Sequence, residues 1–481
     1  VLSPSGSVAL FENDIRVLGV SGWPSLNNGG EKLTLSVDNT EVFSVNYSDD
    51  WYDDPLFDGG RSLEMIDVTN FCGEDNNWTV ASESEGGTPG RQNSVTASNP
   101  DNTGSRLINA FALSPNSLQL VFDERLITDG TGLLINTEPA LTLENFTVIN
   151  DQGTIVRFTS IEEIQPKTTY RISVGGFTDC TGNESQQNEV TFVLSEPGEV
   201  GDLLLSEILF NPRSGGVDFV EIYNSSDKFI NLNGWAFAND DFIDFDISRI
   251  ITDDNLIIPP AGYLAFTEDK GIILSEYPNN VNDNIIEIDD LPTFPDAGGT
   301  WILVDPEGNL IEQFDYSDDF QSSLLDDDDG VSLERISFLN EANDPQNWKS
   351  AASSVGFATP GEQNSQMLMS NVPSVAVSII PKVFIPDGTG AAGSQSFTTI
   401  NYAFENGGSF ANVSIYNANG RFIRELANGE LLASRGFFRW DGIDERGNIV
   451  KVGYYIVLFE LYDNNGMSDT IKETVVVGTQ F

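Results

Sequence analysis

Two stretches of this chain, about 270 residues apart, carry the same motifs in the same order. Gly29-Gly30-Glu31-Lys32-Leu33 aligns with Gly298-Gly299-Thr300-Trp301-Ile302. Asn46-Tyr47-Ser48-Asp49-Asp50-Trp51 aligns with Asp315-Tyr316-Ser317-Asp318-Asp319-Phe320. Ser62-Leu63-Glu64 matches Ser332-Leu333-Glu334, and Asn77-Trp78 matches Asn347-Trp348. Thr88-Pro89-Gly90-Arg91-Gln92-Asn93-Ser94 matches Thr359-Pro360-Gly361-Glu362-Gln363-Asn364-Ser365. A nearly constant offset over so many motifs marks a duplicated domain. The second copy has a long portion ahead of its Gly-Gly, and the first has little. Ser3-Pro4-Ser5-Gly6 resembles Pro259-Pro260-Ala261-Gly262, so the first copy is expected to start inside a domain. Either the chain is a fragment, or another polypeptide supplies the missing strands.

Charge and composition exclude much of the function space. The chain has 481 residues, 23 Lys+Arg, 74 Asp+Glu and no histidine, for a net charge of −51. Phosphate contacts need Lys and Arg, so nucleic acid and anionic lipid are repelled. Without histidine there is no Ser-His-Asp or Cys-His catalysis and no His-ligated metal, while catalysis by carboxylates alone stays possible. Hydrophobic residues make up 39% of the chain, enough for folded cores, so the acidity does not mean disorder. No apolar run approaches the length of a membrane span. No signal peptide is visible at Val1, and the chain reads as mature or cut from a precursor. Extreme acidity with little lysine suggests an extracellular or salty milieu.

The Thr-Pro-Gly-x-Gln-Asn-Ser segments read as domain ends leading into polar linkers, 96–105 and 366–373, and Glu196-Pro197-Gly198 marks a third boundary. Four units follow: residues 1–95, 96–197, 198–368 and 369–481. Alternating runs such as Leu33–Val37, Arg171–Val174 and Val413–Tyr416 predict half-buried strands. Asp38-Asn39, Pro306-Glu307-Gly308, Asn419-Gly420 and Asn464-Asn465-Gly466 predict hairpin turns. One short helix is expected around Gly271–Glu276. The predicted class is all-β, an elongated chain of tandem Ig-like β-sandwiches.

The repeated unit resembles the lamin tail domain, an Ig-like β-sandwich. Its carriers in the second copy are Leu205-Ser206-Glu207-Ile208, Asp218–Asn224, Ile230–Trp235 and Pro259–Leu264, with the Asn-Trp and Thr-Pro-Gly motifs. The first copy matches only the later half. Residues 96–197 resemble a bacterial Ig-like domain through Leu118–Glu124, Asn145–Val148 and Asp179-Cys180-Thr181-Gly182-Asn183. Residues 369–481 resemble the flagellar-hook-capping-type Ig-like fold of secreted Bacteroidota proteins. They do so through Val413–Tyr416, Asn419-Gly420-Arg421, Trp440-Asp441-Gly442, Gly447-Asn448 and Val452–Tyr455. These resemblances imply a secreted or surface protein, exported by the type IX pathway, built of non-enzymatic families.

Candidate sites follow from side-chain chemistry. Asp49, Asp50, Asp53 and Asp54, with Asp58, share one acidic loop, and Asp318, Asp319, Asp328 and Asp329 occupy its counterpart, where Asp326–Asp329 precede Gly330. Asp240, Asp241, Asp244 and Asp246 form a third cluster. Hard cations take several carboxylate oxygens, so calcium is the cofactor such loops could hold, although none has EF-hand spacing; a solvated loop is the alternative. Glu207 and Glu221 could be a catalytic carboxylate pair or structural groups bonded to nearby backbone. Trp51, Trp78, Trp348 and Trp440 could stack on sugars or fill cores, Trp51 being the best candidate for an exposed ring. Cys72 and Cys180 are the only cysteines, either a disulfide between the first two units or two free thiols. Asp469-Thr470-Ile471 resembles a short Bacteroidota O-glycosylation motif, with Thr470 the acceptor.

The expected function is a non-catalytic secreted or cell-surface protein acting as a structural stalk, adhesin or assembly subunit. Its partners would be other protein chains or cell-surface components, including homo-assembly by strand completion of the first domain, without nucleic acid or membrane insertion. The alternative is the non-catalytic C-terminal region of a larger secreted hydrolase or nuclease.

Overall fold

The computed structural model describes the chain apart from residues 12–14, 39, 53–59, 71–72, 128–131, 151–152, 180, 187, 240–248, 279–281, 369–374, 387–394, 406, 464–467 and 480–481. The fold is all-β, in small antiparallel-rich sheets that pack as Ig-like sandwiches. The chain divides into two compact units, Val1–Leu194 and Ser195–Phe481.

Period-two burial builds most strands. Ser117–Phe122 and Thr398–Phe404 bury every second side chain, so one face meets the core and the other water. Leu203–Leu209 differs, because all seven of its residues are buried. It lies inside a six-stranded sheet between Phe219–Asn224 and Leu333–Arg335, covered on both faces, and its near-continuous apolar run suits that place. The short helix is Lys270–Glu276, capped by Asp269, whose Oδ1 accepts from the Ile272 N–H at 2.9 Å.

Strand register corrects the repeat alignment by one residue at the glycines. Gly30 pairs with Ser48 and Gly298 with Ser317, so Gly30 occupies the place of Gly298, not Gly299. Both have positive φ, 125° and 134°. A Cβ on Gly30 would stand 2.4 Å from the Tyr47 carbonyl oxygen, and one on Gly298 2.8 Å from that of Tyr316. Only glycine fits so close a backbone approach.

The start of the first copy also needs correction. Leu2–Pro4 pairs in parallel with Leu18–Val20, as Tyr263–Thr267 pairs in parallel with Ile285–Glu287. A short helical segment, Ser5–Leu10 or Lys270–Glu276, joins each pair. Register therefore places Leu2 at Ala265, and Ser3–Gly6 does not correspond to Pro259–Gly262. Residues 1–95 contain the domain from that strand onward. They hold no counterpart of Leu203–Leu209 or Phe219–Asn224 among the described residues.

The packing of the two copies differs accordingly. In the second, Trp301, Leu303, Phe314, Tyr316 and Trp348 belong to one large buried cluster, and Phe314 stacks on Trp348 at 4.0 Å between ring centroids. In the first, Ala81 is the only buried apolar residue among those described. Leu35 is 52% exposed where its counterpart Leu303 is fully buried.

The segment after the second Thr-Pro-Gly motif is not a loose linker at its start. Gln366 is fully buried; its Nε2 donates to the carbonyls of Ser350 and Leu432, and its Oε1 accepts from the Gly408 N–H at 2.7 Å. These bonds tie the lamin-tail-like part to the C-terminal sandwich.

Candidate functional site

Two features concentrate chemistry: a buried row of carboxylates and two acidic groups near the surface. The row arises from strand register. Glu221 lies opposite Glu207, and Glu207 opposite Glu334, so three carboxyl groups cross the sheet side by side, all fully buried. The Thr359–Gln366 segment folds over them. Glu207 Oε1 accepts from the Thr359 N–H at 2.9 Å and from the Ser332 hydroxyl, and its Oε2 accepts from Thr359 Oγ1 at 3.0 Å. Glu334 accepts from Thr359 Oγ1 at 2.9 Å and from Ser365 Oγ and the Gln366 N–H at 2.8 Å. Glu221 Oε2 accepts from the Gly361 N–H at 2.6 Å, while its Oε1 has no hydrogen-bond partner among the described residues.

Burial and the neighbouring Glu334 push the Glu207 carboxyl up to about 8. Burial and Glu207 push Glu221 well above the ordinary range. Burial raises Glu334 too, against the hydrogen bonds from Ser365 and Gln366. The first copy has one member of this row. Glu64 accepts from the N–H and hydroxyl groups of both Thr88 and Ser94. Burial opposes these bonds, yet they hold Glu64 below the ordinary carboxylate range. The same residue thus shifts in opposite directions in the two copies, because burial within the six-stranded sheet outweighs the hydrogen bonds at Glu334 and does not at Glu64.

The acidic loops divide by geometry. Asp49–Trp51 and Asp318–Phe320 are matching single helical turns. Ser48 Oγ accepts from the Asp50 N–H, and Ser317 Oγ from the Asp319 N–H, each at 3.2 Å. Asp49, Asp50, Asp318 and Asp319 are exposed residues of these turns and join no group of three metal-competent side chains among the described residues. Asp328 and Asp329 do converge, with Asp327, their carboxylate oxygens within 4.8 Å of one another. Asp53, Asp54, Asp58 and the 240–246 cluster lie outside the described residues, as do Cys72 and Cys180.

A second convergence escaped the sequence reading. Asp101, Glu124 and Asp179 bring their carboxylate oxygens within 4.8 Å of one another. Asp179 is buried, and its Oδ1 accepts from the N–H groups of Thr181, Gly182 and Asn183 at 2.7–2.9 Å. Thr181 Oγ1 bridges to Asp101 Oδ2 at 2.8 Å. Burial, then the charges of Asp101, Asp123 and Asp179, push Glu124 up to about 7, with Arg106 opposing. The signal was present only as the Asp179–Asn183 motif, since its partners stand far away in sequence.

The tryptophans separate as well. Trp348 and Trp440 are core residues; Trp348 Nε1 donates to the Ala342 carbonyl at 2.7 Å, and Trp440 packs edge-on against Phe384 and Tyr455. Trp51 and Trp78 are half-buried and face each other at 6.5 Å. Thr470 is exposed on the Ser468–Val477 strand.

Residues 196–318 match the model of the Lamin Tail Domain family. That stretch contains Glu207 and Glu221 and ends at the start of the Asp318–Phe320 turn. No curated protein sequence matches the chain. Among solved structures, the bacterial surface-layer protein SbsC, domains 1–6, aligns at 10% identity and TM-score 0.18, over 78% of this chain and 54% of that one. Dimeric latent PorU from Porphyromonas gingivalis aligns at 11% identity and TM-score 0.17, over 84% and 35%. InvD of Yersinia pseudotuberculosis aligns at 11% identity and TM-score 0.16, over 78% and 97%. The chain thus spans about half or less of the length of the first two. No helix among the described residues is long and apolar enough to cross a membrane.

Proposed function

We propose that this chain is a non-catalytic protein of the cell surface or extracellular space, acting as a structural or assembly element that binds other protein chains. The supporting observation is the state of Glu207, Glu221 and Glu334. These are the carboxylates best placed for acid–base work, yet they are fully buried and spent on closing a sandwich. The absence of histidine and the strong negative charge agree with that reading. Mild proteolysis of intact producing cells, with mass spectrometry of the released peptides and culture fluid, tests the location. Peptides from this chain are expected in those fractions; their confinement to the lysate would overturn it. Turnover of polysaccharide, nucleic acid or peptide substrates by the purified chain would overturn the non-catalytic part.

Calcium belongs to this reading at Asp101, Glu124 and Asp179. Carboxylates there could bridge the segment ahead of the Ig-like sandwich to its Asp179–Asn183 turn. Calcium is expected to raise the unfolding temperature of the Val1–Leu194 unit, and Glu124→Gln to abolish the gain. A proton on Glu124 competes with the cation, so the gain should shrink as pH falls through about 7. An unfolding temperature unmoved by calcium would remove the ion from the proposal.

A further inference from the structure

The C-terminal sandwich treats two of its strand edges differently. Phe422–Leu431 borders the five-stranded sheet and Arg435–Trp440 the three-stranded one. An open edge offers its N–H and C=O groups to any extended chain, so folded proteins usually spoil it. Phe422–Leu431 is spoiled. Its pairing with Phe410–Asn417 slips at three points, and Glu445 takes both the Ile423 carbonyl and the Glu425 N–H, at 3.1 and 2.8 Å. On the edge strand Leu310–Ser317 of the lamin-tail-like part, the Asp315 N–H is likewise taken by Asn343 Oδ1 at 2.8 Å.

Arg435–Trp440 has neither device. It pairs with Thr398–Phe404 in unbroken register and contains no proline. The Phe404 N–H donates to the Ser434 carbonyl at 2.7 Å, and antiparallel bonding alternates along a strand. Gly436, Phe438 and Trp440 therefore turn their backbone groups toward Thr398–Phe404. Arg435, Phe437 and Arg439 turn theirs to the open side, where they meet no partner among the described residues.

The same three residues point their side chains outward, since exposure alternates along the strand. Phe437 is 63% exposed. Arg435 and Arg439 form no ion pair among the described residues, although Asp+Glu outnumber Lys+Arg by 74 to 23 in the chain. Arg439 lies over the Phe397 ring at 4.0 Å, which fixes one guanidinium beside the edge. Four residues of strand set the two arginines about 13 Å apart, with Phe437 halfway. Residues 369–481 hold 8 of the 23 cations but 11 of the 74 acids, so an acidic partner is repelled less here than by the rest of the chain. A second copy paired edge to edge about Phe437 would set each Arg435 opposite an Arg439, a like-charge clash.

We propose that Arg435–Trp440 is a docking edge for an extended acidic segment of a partner protein, which joins the three-stranded sheet as a fourth, antiparallel strand. The segment carries two carboxylates four residues apart, opposite Arg435 and Arg439, and an apolar residue between them over Phe437. Backbone bonds at the three outward residues hold an extended chain, and the two guanidinium groups select an acidic one. The inference rests on the proposed binding of other protein chains and names the place and the chemistry of one such contact.

The probe is the synthetic peptide Ser-Thr-Glu-Thr-Val-Thr-Glu-Thr-Ser, added to the full chain, with hydrogen exchange resolved to single amides by mass spectrometry. Exchange at Arg435, Phe437 and Arg439 is expected to slow by at least about tenfold at saturation, while Gly436, Phe438 and Trp440, already bonded, stay unchanged. Only strand addition gives that alternation. The peptide with lysine in place of both glutamates should bind roughly tenfold or more weakly, and the difference should shrink in high salt. Arg435→Glu with Arg439→Glu, two exposed positions, should reverse the preference. Phe437→Pro removes the central outward N–H, which an edge strand tolerates, and should abolish the slowing with thermal unfolding little changed. Unchanged exchange at saturating acidic peptide would overturn the proposal, as would equal protection by the acidic and lysine peptides. So would a free, monomeric chain whose Arg435, Phe437 and Arg439 amides are already as slow as their neighbours, or a chain of twice its mass by light scattering with those amides protected. None of these results bears on the location of the protein, which proteolysis of intact cells reads separately, or on its lack of catalysis.

Discussion

Raising the pH from about 5 to about 9 is expected to weaken the lamin-tail-like sandwich of the second repeat progressively, and Glu207→Gln to remove much of that loss. The carboxyls of Glu207, Glu221 and Glu334 all titrate above their ordinary value in the folded protein. The folded state therefore holds protons that the unfolded chain has released. A group of this sign costs nothing below its unfolded pKa. Its penalty grows as pH rises from there to the folded value, about 8 for Glu207, and is then constant. For Glu207 alone the full penalty is on the order of 5 kcal/mol. Glutamine keeps an acceptor for the Thr359 and Ser332 donors and cannot ionise. Thermal unfolding followed at residues 203–366 by hydrogen exchange should show the variant less stable than, or level with, the parent at pH 5 and more stable at pH 9. Repeating the series in high salt separates this effect from general self-repulsion of a chain with net charge −51, which salt screens and the buried row does not feel. Parallel pH profiles for the two proteins would show that the row ionises without cost.

The second large effect is a contrast between equivalent tryptophans. Trp348→Ala should cost the second repeat about 3–5 kcal/mol, the ordinary loss for a large aromatic removed from a packed core. Trp348 is fully buried, stacked on Phe314, and bonded through its indole N–H to the Ala342 carbonyl. Trp78→Ala in the first repeat should cost roughly 1 kcal/mol or less, because Trp78 is half-buried beside Trp51. Chemical denaturation with exchange resolved by segment would measure both. Equal losses would mean that the first repeat packs as tightly as the second.

The two copies also show how much one sequence pattern can and cannot settle. The motifs Asn-Trp and Thr-Pro-Gly-x-Gln-Asn-Ser mean the same thing in both. Asn77 and Asn347 each use the side-chain amide to tie neighbouring loop backbone, and Asn93 and Asn364 each donate to the carbonyl of the residue after the row glutamate. Those contacts are local in the folded hairpin, and they repeat wherever the motif repeats. The glutamate between them does not behave alike. Glu64 is held down by its hydrogen bonds and Glu334 is raised, and the difference comes from strands more than 100 residues away in sequence.

The sequence by itself determined the all-β class and the repeat of motifs in the same order. Each rests on local signals, namely alternation, glycine at positive φ, and motif order, that survive without knowledge of partners. Only the tertiary structure decided which carboxylates meet. Asp49, Asp50, Asp318 and Asp319, adjacent in sequence, turned out to be exposed residues of single helical turns. Asp101, Glu124 and Asp179 converge from a segment, a strand end and a turn, and Glu207, Glu221 and Glu334 from three strands. The physical reason is that sheet register, unlike a turn, joins residues by hydrogen bonds between distant segments. One-dimensional spacing carries no trace of which strand lies beside which.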